Sequence, residues 1–499
     1  MKNNKAPGID NINAELIKYG GRKLHEKIVG VVKRIWNSEV MPEEWEEGVY
    51  VPLHKKGERT NCSNYRGICI LTIGYKILAN IIYKRLLVHY TTIIGEYQAG
   101  FIPSRSTVNN IFILRQISEK CWEFNRDVWH VFVDFKQAYD SVHRASMFNI
   151  LRYFNIPEKL IRMVQVCYHN TRGRVKVGGE LTDDFEVRTG LKQGCPLSCL
   201  LFNLTLEWVM RQTPSEGDEV RMTNGVSCDR LAYADDVDLL GEGFVGRDRQ
   251  MRNFRMAAER VGLEVNESKT KVMKVSRDER DEEVVNVGGF VLEVVNEFKY
   301  LGSTITSTNE VKDEVKIRIA AASRCSWAIN DILRSNLISR ATKLRAYTSI
   351  IRPIVVYGCE TWRLTKQLES MLMVFENGIL RRIYGPVRDE LTGEWQRRHN
   401  ADLRDLSRLP PITSYIRSQR LRWAGHVART DNNSMLKQIA QGIPAGRRPV
   451  GRPRMRWKDN IKSDLTLLGA DRPDEWWDMA QDRRRWRLLV KAAMDHMGP

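Results

Sequence analysis

The chain has 499 residues, of which 42% are hydrophobic and 28% are charged, a globular composition that excludes wholesale disorder and fibrous repeats. It has no uninterrupted apolar stretch of about 18 residues and no signal-peptide core near its start, so we expect neither a membrane protein nor a secreted one, but an intracellular protein of the nucleus or cytoplasm. The formal net charge of +18 indicates a polyanionic partner.

Hydrophobic periodicity divides the chain into a mixed portion of helices and strands and a later, largely helical portion. The predicted elements are, in chain order, helices within residues 1–48, a strand over 49–57, helices over 77–89 and 108–122, a strand over 129–135, a helix from about Asp140, a hairpin within 173–190 that turns at Gly178 and Gly179, a helix after Pro196, two short strands about a turn over 231–241, and a helix with two strands over 248–305. Beyond about residue 310 the pattern is helical, most clearly over 315–333.

The cysteines and histidines do not form a recognisable metal-binding or disulfide pattern. The nine cysteines are scattered, include no C-x-x-C pair and end at Cys359. A disulfide framework or a zinc finger needs tighter spacing. We therefore expect reduced, mostly buried thiols and no metal site built from the nine dispersed histidines.

The positive charge is concentrated near the C-terminus. Residues 417–458 contain eleven Lys or Arg and one acidic residue, Asp431, and the part over 446–458 is too rich in Gly and Pro for a regular helix. Six of the 13 tryptophans follow residue 394: Trp395, Trp423, Trp457, Trp476, Trp477 and Trp486. Basic residues interleaved with flat aromatic rings are typical of nucleic-acid-binding surfaces. The alternative is a solvated tail with core tryptophans, and the density of both residue types favours the binding surface.

Three aspartates lie where a strand ends or turns. Asp134 ends the buried strand of HVFVDF, where an ionised carboxylate is costly unless a cation meets it. Asp235 and Asp236 occupy the tip of a strand–turn–strand much later in the chain. Three carboxylates about 5 Å apart would repel by roughly 3 kcal/mol per pair at an effective dielectric constant of 20, and Mg²⁺ would relieve that repulsion. Taken singly, the Asp-Asp pair also fits plain turn chemistry, and Asp134 also fits a helix cap.

Five segments follow one another in a recognisable order: FVDFKQAYDSV (132–142), GLKQGCPLSCLLFNL (190–204), LAYADD (231–236), GLEVNESKTK (262–271) and FKYLGSTI (298–305). They resemble the successive palm motifs of reverse transcriptases from non-LTR retrotransposons. Upstream, the segments 2–18, 51–71 and 97–111 resemble the fingers motifs of the same family, so the resemblance covers residues 2 to about 305. The segment 420–461 resembles C-terminal regions of insect-type elements of this group.

The resemblance implies an α+β right-hand polymerase, with fingers, a ferredoxin-like palm sheet that carries helices on one face, a helical thumb and a basic C-terminal region. We expect truncated fingers over 1–128, the palm over 129–305, a thumb-like region over 306–395 and a nucleic-acid-binding region over 396–499, with the reverse transcriptase domain over about 45–305. Met1 falls inside the first fingers motif. We therefore expect a remnant open reading frame that lacks the endonuclease of complete elements.

The same resemblance implies roles for the aspartates and for a nearby tyrosine. Asp134 and Asp235 would hold two Mg²⁺ ions, for which Mn²⁺ can substitute, and Asp236 would flank them. Tyr139 would lie beneath the sugar of the incoming nucleotide, where its ring would collide with a 2′-hydroxyl and so select dNTPs. The alternative for Tyr139 is a core tyrosine.

Further positions would contact the substrate according to the resemblance. Gln193 and Gly194 would line the nucleotide and the template, since Gly permits close backbone approach. Lys55 and Arg66 would grip the triphosphate, and Lys56 is the alternative to Lys55.

Lys269 would protonate the leaving pyrophosphate as a general acid, and Lys271 is the alternative. These roles imply an RNA-directed DNA polymerase that extends a DNA primer with dNTPs on an RNA template and holds the RNA/DNA duplex. The alternative function is a catalytically silent nucleic-acid-binding remnant of a mobile element. An RNA-dependent RNA polymerase shares the palm chemistry, but Tyr139 argues against it.

Overall fold

The computed structural model of the chain describes residues 2–215, 217–278, 283–451 and 454–496. Residues 452–453 of the predicted basic segment and 497–499 of the predicted C-terminal region lie outside the described residues. The α-helices are α1 (Ala14–Lys18), α2 (Arg22–Ser38), α3 (Ile73–Ile93), α4 (Thr107–Glu123), α5 (Ala138–Ser141), α6 (Arg144–Tyr153), α7 (Glu158–Tyr168), α8 (Pro196–Arg211), α9 (Phe244–Glu259), α10 (Lys312–Ala328), α11 (Asn330–Arg334), α12 (Arg340–Ala346), α13 (Arg352–Val355), α14 (Lys366–Tyr384), α15 (Asn400–Ser407), α16 (Ile412–Arg429), α17 (Met435–Gln441), α18 (Trp457–Leu467), α19 (Trp476–Met479) and α20 (Arg483–Asp495).

The strands are β1 (Glu47–His54), β2 (Tyr65–Ile70), β3 (Val128–Val133), β4 (Arg172–Val177), β5 (Glu180–Leu181), β6 (Phe185–Glu186), β7 (Val220–Arg221), β8 (Ser227–Cys228), β9 (Arg230–Tyr233), β10 (Asp236–Gly241), β11 (Lys271–Val275), β12 (Val284–Val287), β13 (Phe290–Val294), β14 (Glu297–Tyr300), β15 (Ser303–Thr306), β16 (Val387–Arg388) and β17 (Trp395–Gln396). Short 3₁₀ segments lie at Glu43–Trp45, Cys62–Asn64, Cys359–Thr361 and Pro473–Glu475, and a π-helical turn lies at Tyr347–Ile351.

The predicted elements with strong local signals are confirmed. β1, α3, α4 and β3 overlap the ranges that periodicity predicts, and α8 begins at Pro196, whose fixed φ suits the first helical turn. The predicted hairpin joins β4 to β5, and both of its turn residues, Gly178 and Gly179, have positive φ angles of 63° and 99°. This agreement is expected because turn and cap chemistry depend on a few adjacent residues.

A five-stranded sheet forms from early and middle parts of the chain. Its order is β2-β1-β4-β5, and β6 also pairs with β4. β1 and β2 form an antiparallel pair that runs from Val49 opposite Ile70 to His54 opposite Tyr65. The open end of this pair carries the loop that begins at Lys55 and returns at Asn64, where the Lys55 N–H donates to the Asn64 carbonyl at 2.8 Å.

A six-stranded sheet in the order β12-β13-β11-β3-β10-β9 is the centre of the molecule. In β3, successive residues face opposite sides, so Val131 and Val133 enter a front core while Phe132 enters a rear core. Helices α3, α6, α7, α8 and α9 supply the front core. α4 and several C-terminal helices cover the rear face, a second helical layer that the sequence did not predict.

After the sheet, the chain forms a hairpin and a helical region. The segment FKYLGSTI makes the antiparallel pair β14–β15, whose turn uses positive φ angles at Leu301 and Gly302. A third core then gathers buried residues from Val311 to Ile416, contributed mainly by α10, α14 and α16. The predicted helical pattern beyond residue 310 is confirmed, and the predicted domain boundaries stay predictions.

The C-terminal tryptophans correct one expectation. Trp457, Trp476 and Trp486 are only 2%, 7% and 2% exposed and belong to the rear core, whereas Trp395 is 69% exposed. Buried rings cannot stack on nucleic-acid bases, so the prediction of a stacking surface is wrong for these three residues. They are buried because the rear face of the sheet is apolar and needs a cover.

Several C-terminal arginines are likewise bound within the fold. Arg417 and Arg420 are buried and both contact Asp464, at 3.1 Å and 2.8 Å. Arg448 and Arg456 contact the Glu123 carboxylate at the end of α4, at 3.1 Å and 3.3 Å. The local excess of basic residues therefore overstates the charge available to a partner. In the part of the chain that the structure describes, no helix is both long enough and apolar enough to cross a membrane.

Candidate active site

The three aspartates lie together at the strand ends on one side of the six-stranded sheet, where β3 ends and β10 begins. β3 and β10 run antiparallel with Val133 opposite Val237. Continuing this register by one residue places Asp134 opposite Asp236, with Cα atoms about 5 Å apart. Asp235 ends the two-residue turn between β9 and β10 and lies beside them. The structure thus brings together residues that are far apart in the sequence.

The turn that carries Asp235 is held by a buried glutamine that sequence reasoning missed. Ala234, the first turn residue, has a φ of 56°, which is unfavourable for a residue with a Cβ atom. Gln98 is 2% exposed, and its Oε1 accepts from the N–H groups of Ala234 and Gly100, both at 2.8 Å. Ala232 adds two backbone hydrogen bonds to this contact. Its N–H donates to the carbonyl of residue 97, and its carbonyl accepts from the N–H of residue 99, both at 2.9 Å. We call residues 97–100 the brace.

Gly100 allows the brace to lie directly against the turn. A Cβ atom at this position would collide with the Ala234 backbone nitrogen. The brace belongs to the segment 97–111 whose motif resemblance was noted, but a glutamine in a loop gives no signal of what it contacts. Only the fold reveals that its side chain positions the aspartate turn.

Burial and then mutual repulsion raise the pKa values of Asp235 and Asp236. Burial, followed by the charges of Asp235 and Asp134, raises the pKa of Asp236 to about 6. Burial, opposed mainly by a backbone hydrogen bond and by Arg66, raises the pKa of Asp235, and Asp134 adds to the increase. Lys55 also acts on Asp235 in the direction that lowers its pKa. The site therefore combines closely spaced carboxylates with the nearby cationic side chains of Lys55 and Arg66.

The carboxylates fit a divalent ion that is shared with a substrate. Oδ2 of Asp134 is buried and makes no hydrogen bond within the described residues, and its ion-pair partner, Lys269, lies 3.4 Å away. Across the described ranges, no group of three or more His, Cys, Asp or Glu side chains is arranged to hold a metal ion. Mg²⁺ is typically bound by one or two carboxylates together with substrate phosphates, and Asp134 and Asp235 supply oxygen atoms of this kind. The metal roles of these residues and of Asp236 stay predictions.

Tyr139 lies on the helix side of the aspartates. Its ring stacks on Phe202, with centroids 4.6 Å apart and an interplanar angle of 18°. Burial raises the pKa of Tyr139, and the neighbouring Cys199 and Asp235 raise it further. The ring is therefore fixed by packing and adjoins the aspartate turn, which fits both the predicted steric role and a packing role.

Gln193 and Gly194 join the aspartate site to the five-stranded sheet. The Gln193 amide donates to both carboxylate oxygens of Asp140, at 3.0 Å and 3.1 Å, and its carbonyl accepts from the Cys69 N–H at 2.8 Å. Gly194 has a φ of 118°, and a Cβ atom there would lie 2.5 Å from the Cys69 carbonyl oxygen. Gly194 therefore lets its own loop lie directly against strand β2.

Lys55 and Arg66 lie at the open end of the β1–β2 pair. Arg66 is opposite Leu53 in the register, and both cationic side chains are exposed. Burial raises the pKa of Asp140 and of Asp235, and the charges of Lys55 and Arg66 oppose that rise, so both cations lie within electrostatic range of these carboxylates. The structure therefore brings the two predicted phosphate-binding residues to the aspartate site.

The two candidate general acids have different surroundings. Lys269 is exposed and contacts Asp134 as described above. Lys271 instead donates to Glu293 at 2.7 Å and to the Ser268 carbonyl at 2.8 Å. An ammonium that is already bound by a carboxylate outside the site is poorly placed to serve a substrate, so the geometry favours Lys269.

Known proteins resemble this chain in sequence. An uncharacterized transposon-derived protein of Caenorhabditis elegans is 28% identical over 54% of this chain and 97% of its own length. The RNA-directed DNA polymerase from transposon X-element of Drosophila melanogaster is 24% identical over 94% of this chain and 50% of its own length, so the chain spans half of that relative. A solved structure of telomerase from Candida albicans with a fragment of telomeric RNA has a TM-score of 0.39 at 13% identity, over 83% of this chain and 68% of that one.

The family model described as reverse transcriptase (RNA-dependent DNA polymerase) matches residues 53–305. This range covers half of the chain and contains every candidate site residue described above. The relatives include proteins of non-LTR retrotransposable elements, as the motif order predicts. The chain therefore belongs to the reverse transcriptase family.

Proposed function

We propose that the chain is an RNA-directed DNA polymerase that extends a DNA primer with dNTPs on an RNA template. The observation that carries this proposal is that Asp134, Asp235 and Asp236 lie together at the ends of β3 and β10. The cationic side chains of Lys55 and Arg66 lie within electrostatic range of Asp235. Carboxylates can hold divalent ions and the cations can hold a triphosphate, which are the two requirements of nucleotidyl transfer. The family match supports the same activity.

In this proposal, Asp134 and Asp235 hold two Mg²⁺ ions, or Mn²⁺ in their place, and Asp236 flanks them. When bound, such ions lower the pKa of the primer 3′-hydroxyl and neutralise charge on the leaving pyrophosphate. Gln193 and Gly194 line the nucleotide and template side of the site. The brace keeps the aspartate turn in one conformation, so no reorganisation is needed when the substrate arrives.

The remaining side chains bind and select the nucleotide. Arg66 offers paired N–H donors to phosphate oxygens, and Lys55 adds a point charge. Lys269 donates a proton to the leaving pyrophosphate. Tyr139, fixed against Phe202, occupies the space that a 2′-hydroxyl would need. Each of these roles requires only that the side chain contact the bound nucleotide or the leaving pyrophosphate.

Primer extension tests the proposal directly. The full chain is given poly(rA)/oligo(dT), dTTP and Mg²⁺, and we expect incorporation that falls by about 10³-fold in Asp235→Asn, as for the loss of one charge-stabilising group. Asp405→Asn is the matched control, because Asp405 is exposed on α15. Equal extension by the wild-type chain and Asp235→Asn would contradict the mechanism. Salt-sensitive binding of primer–template with no extension would instead select the silent remnant.

A nucleotide competition tests the predicted role of Tyr139. We expect the wild-type chain to prefer dTTP over rUTP, and Tyr139→Ala to reduce that preference by about 10–100-fold, because the ring no longer excludes the 2′-hydroxyl. Wild-type preference for rUTP would select an RNA-dependent RNA polymerase. An unchanged preference in Tyr139→Ala would make Tyr139 a core residue.

A further inference from the structure

A second cationic groove lies between the C-terminal helices and the loop that follows the brace. It is a cavity of about 880 Å³ between α16, α20 and residues 96–109. Its basic lining consists of five arginines, Arg105, Arg422, Arg429, Arg483 and Arg487, together with the imidazole of His426. The acidic side chains of its lining are Glu96 and Asp431. Cations thus outnumber carboxylates in a concave surface that the polymerase chemistry does not use.

The basic residues of the groove are arranged in two rows by helix geometry. Arg422, His426 and Arg429 occupy positions i, i+4 and i+7 of α16, with about 6 Å of rise between the first two. Arg483 and Arg487 are four residues apart on α20, which gives the same rise.

Close packing of the two helices holds these rows side by side. The Trp486 indole N–H donates to the Leu421 carbonyl at 2.7 Å, and the Ser418 hydroxyl donates to the Val490 carbonyl at 3.0 Å. Gly425 permits the approach, since a Cβ atom there would collide with the Trp486 ring. The rows therefore belong to the rigid rear core and are not a flexible tail.

The charge in the groove is not balanced by the protein. Glu96 is bound by Arg105, and Asp431 accepts a backbone hydrogen bond from Asn433 at 2.7 Å. Arg422, Arg483 and Arg487 are exposed and make no hydrogen bond or ion pair within the described ranges. Exposed arginines that outnumber the neighbouring carboxylates are typical of a surface that meets a polyanion.

The pKa values in the groove reflect the same repulsion. Burial and then the charge of Arg429 lower the pKa of His426. Burial and then the charge of Arg483 lower the pKa of Arg429. A bound polyanion would remove this repulsion between the two rows.

We propose that this groove binds the sugar–phosphate backbone of a nucleic-acid strand, at a site separate from the polymerase cleft. The rows extend about 10 Å along α16, which exceeds the size of one phosphate and suits several consecutive ones. The ring that lines the groove, Trp486, is 2% exposed, so base stacking has no surface there and recognition is independent of sequence. The proposal deepens the proposed function, on which it rests for the chemical class of its ligand.

Salt-dependent binding tests the groove without requiring catalysis. Fluorescence anisotropy of the full chain would use a labelled 20-nucleotide RNA strand, a DNA strand of the same sequence and the corresponding RNA/DNA duplex. In Arg422→Gln/Arg487→Gln, we expect weaker binding at 100 mM salt and a slope of log K against log[salt] that is less steep by about 1.4 for a single strand, because two phosphate contacts are lost. The strand type with the largest change is the ligand of the groove.

The matched control removes the same charge from the same region. Arg484→Gln/Lys491→Gln changes two exposed α20 residues that do not line the groove, and we expect the wild-type slope. A loss in the control equal to that in the groove variant would overturn the proposal in favour of general surface attraction. An unchanged slope in the groove variant for all three probes would also overturn it.

The catalytic variant separates this proposal from the polymerase proposal. Adding Arg422→Gln/Arg487→Gln to Asp235→Asn should reduce the salt slope by the same amount as it does in the wild-type chain, because Asp235 does not line the groove. If the wild-type chain fails to extend primers but the groove variant still shows the reduced slope, the polymerase proposal fails while the groove stands. Circular dichroism of each variant checks that the substitutions leave the fold intact; the groove and control positions are exposed, and Asp235 is half-buried.

Discussion

At the scale of single residues, the geometry of the aspartates depends on an uncharged neighbour. Ala234 adopts a left-handed conformation that costs about 1–2 kcal/mol for a residue with a Cβ atom. The contacts of Gln98 with the turn compensate for this cost, because they satisfy two buried N–H groups that water cannot reach. Positioning by a buried amide leaves the charge of the site unchanged, which a cation in the same place could not do.

Replacing Gln98 should reduce turnover more than nucleotide binding. Gln98→Met keeps the approximate volume and removes the acceptor, so two N–H groups become unsatisfied and stability falls by about 1–3 kcal/mol. We expect kcat for primer extension to fall by about tenfold or more while the KM for dTTP changes little, as measured by steady-state kinetics. Gln98→Glu retains an acceptor oxygen and should recover part of kcat.

Exposed Gln212 provides a control for the Gln98 substitution. Gln212→Met makes the same chemical change at the end of α8, away from the turn. We expect wild-type kinetics and stability from this variant. If Gln98→Met and Gln98→Glu lose kcat equally, the amide acceptor is not what positions the turn.

The raised pKa of Asp236 predicts a pH-dependent gain in stability when its charge is removed. Its pKa of about 6 in the folded chain exceeds the ordinary value of 3.8, so the folded state binds this proton more tightly than the unfolded state. The resulting destabilisation is absent below about pH 4 and develops fully as the pH rises through 6. Asp236→Asn should therefore stabilise the metal-free chain at pH 8, by only about 1 kcal/mol because the side chain remains partly accessible to solvent, which screens the repulsion.

Thermal unfolding in EDTA at pH 8 and pH 4 measures this effect. The gain of Asp236→Asn should disappear at pH 4, and Mg²⁺ should stabilise the wild-type chain more than the variant at pH 8. A gain of equal size at both pH values would show that the substitution acts through packing and that the carboxylates do not repel.

At the scale of elements, local signals and long-range contacts differ in how far the sequence reveals them. The alternation in β3 and the turn after Tyr233 depend on neighbouring residues, so both elements could be predicted. The register of β3 against β10 depends on the packing of two sheet faces, and the contact of Gln98 with Ala234 depends on a loop far away in the sequence. The order of the motifs therefore predicts the aspartate site, whereas the contact between the brace and the aspartate turn is visible only in the structure.

A buried, hydrogen-bonded His–Asp pair within the sheet offers a test of strand energetics. His130 on β3 and Asp238 on β10 are both 0% exposed, and Nδ1 of His130 lies 2.9 Å from Oδ2 of Asp238. His130→Leu leaves a buried carboxyl without its partner and should cost about 3–5 kcal/mol of unfolding free energy, measured by urea denaturation. Because two apolar side chains need no partner, His130→Leu/Asp238→Leu should recover most of that loss. A double variant as unstable as the single one would show that the pair is not the source of the effect.

At the scale of the whole molecule, the C-terminal region completes the core of the polymerase portion. The count of basic residues suggests a binding tail, because a sequence does not show which arginines will meet a carboxylate. In the fold, Arg417 and Arg420 contact Asp464, whereas Arg422 on the same helix faces the groove. Helical spacing thus separates structural arginines from exposed ones. We infer that α16 both stabilises the rear core and presents charge.

Trp457 is the residue through which this shared core can be tested. It is 2% exposed, packs edge-on against Phe112 of α4 with ring centroids 4.7 Å apart, and donates its indole N–H to the Glu360 carbonyl at 2.7 Å. Trp457→Ala should lower the unfolding free energy by about 3–5 kcal/mol. Trp395→Ala, at a position 69% exposed, should change it by less than about 0.5 kcal/mol.

The shape of the unfolding curve decides whether the core is shared. Since Trp457 contacts α4, which covers the rear face of the six-stranded sheet, its loss should shift the main urea transition and not create a separate early one. A variant in which only a minor, early transition moves would show that the C-terminal region folds independently of the sheet. In that case the rear face would be stable without its cover, and the exposed arginines of α16 would belong to an attached module.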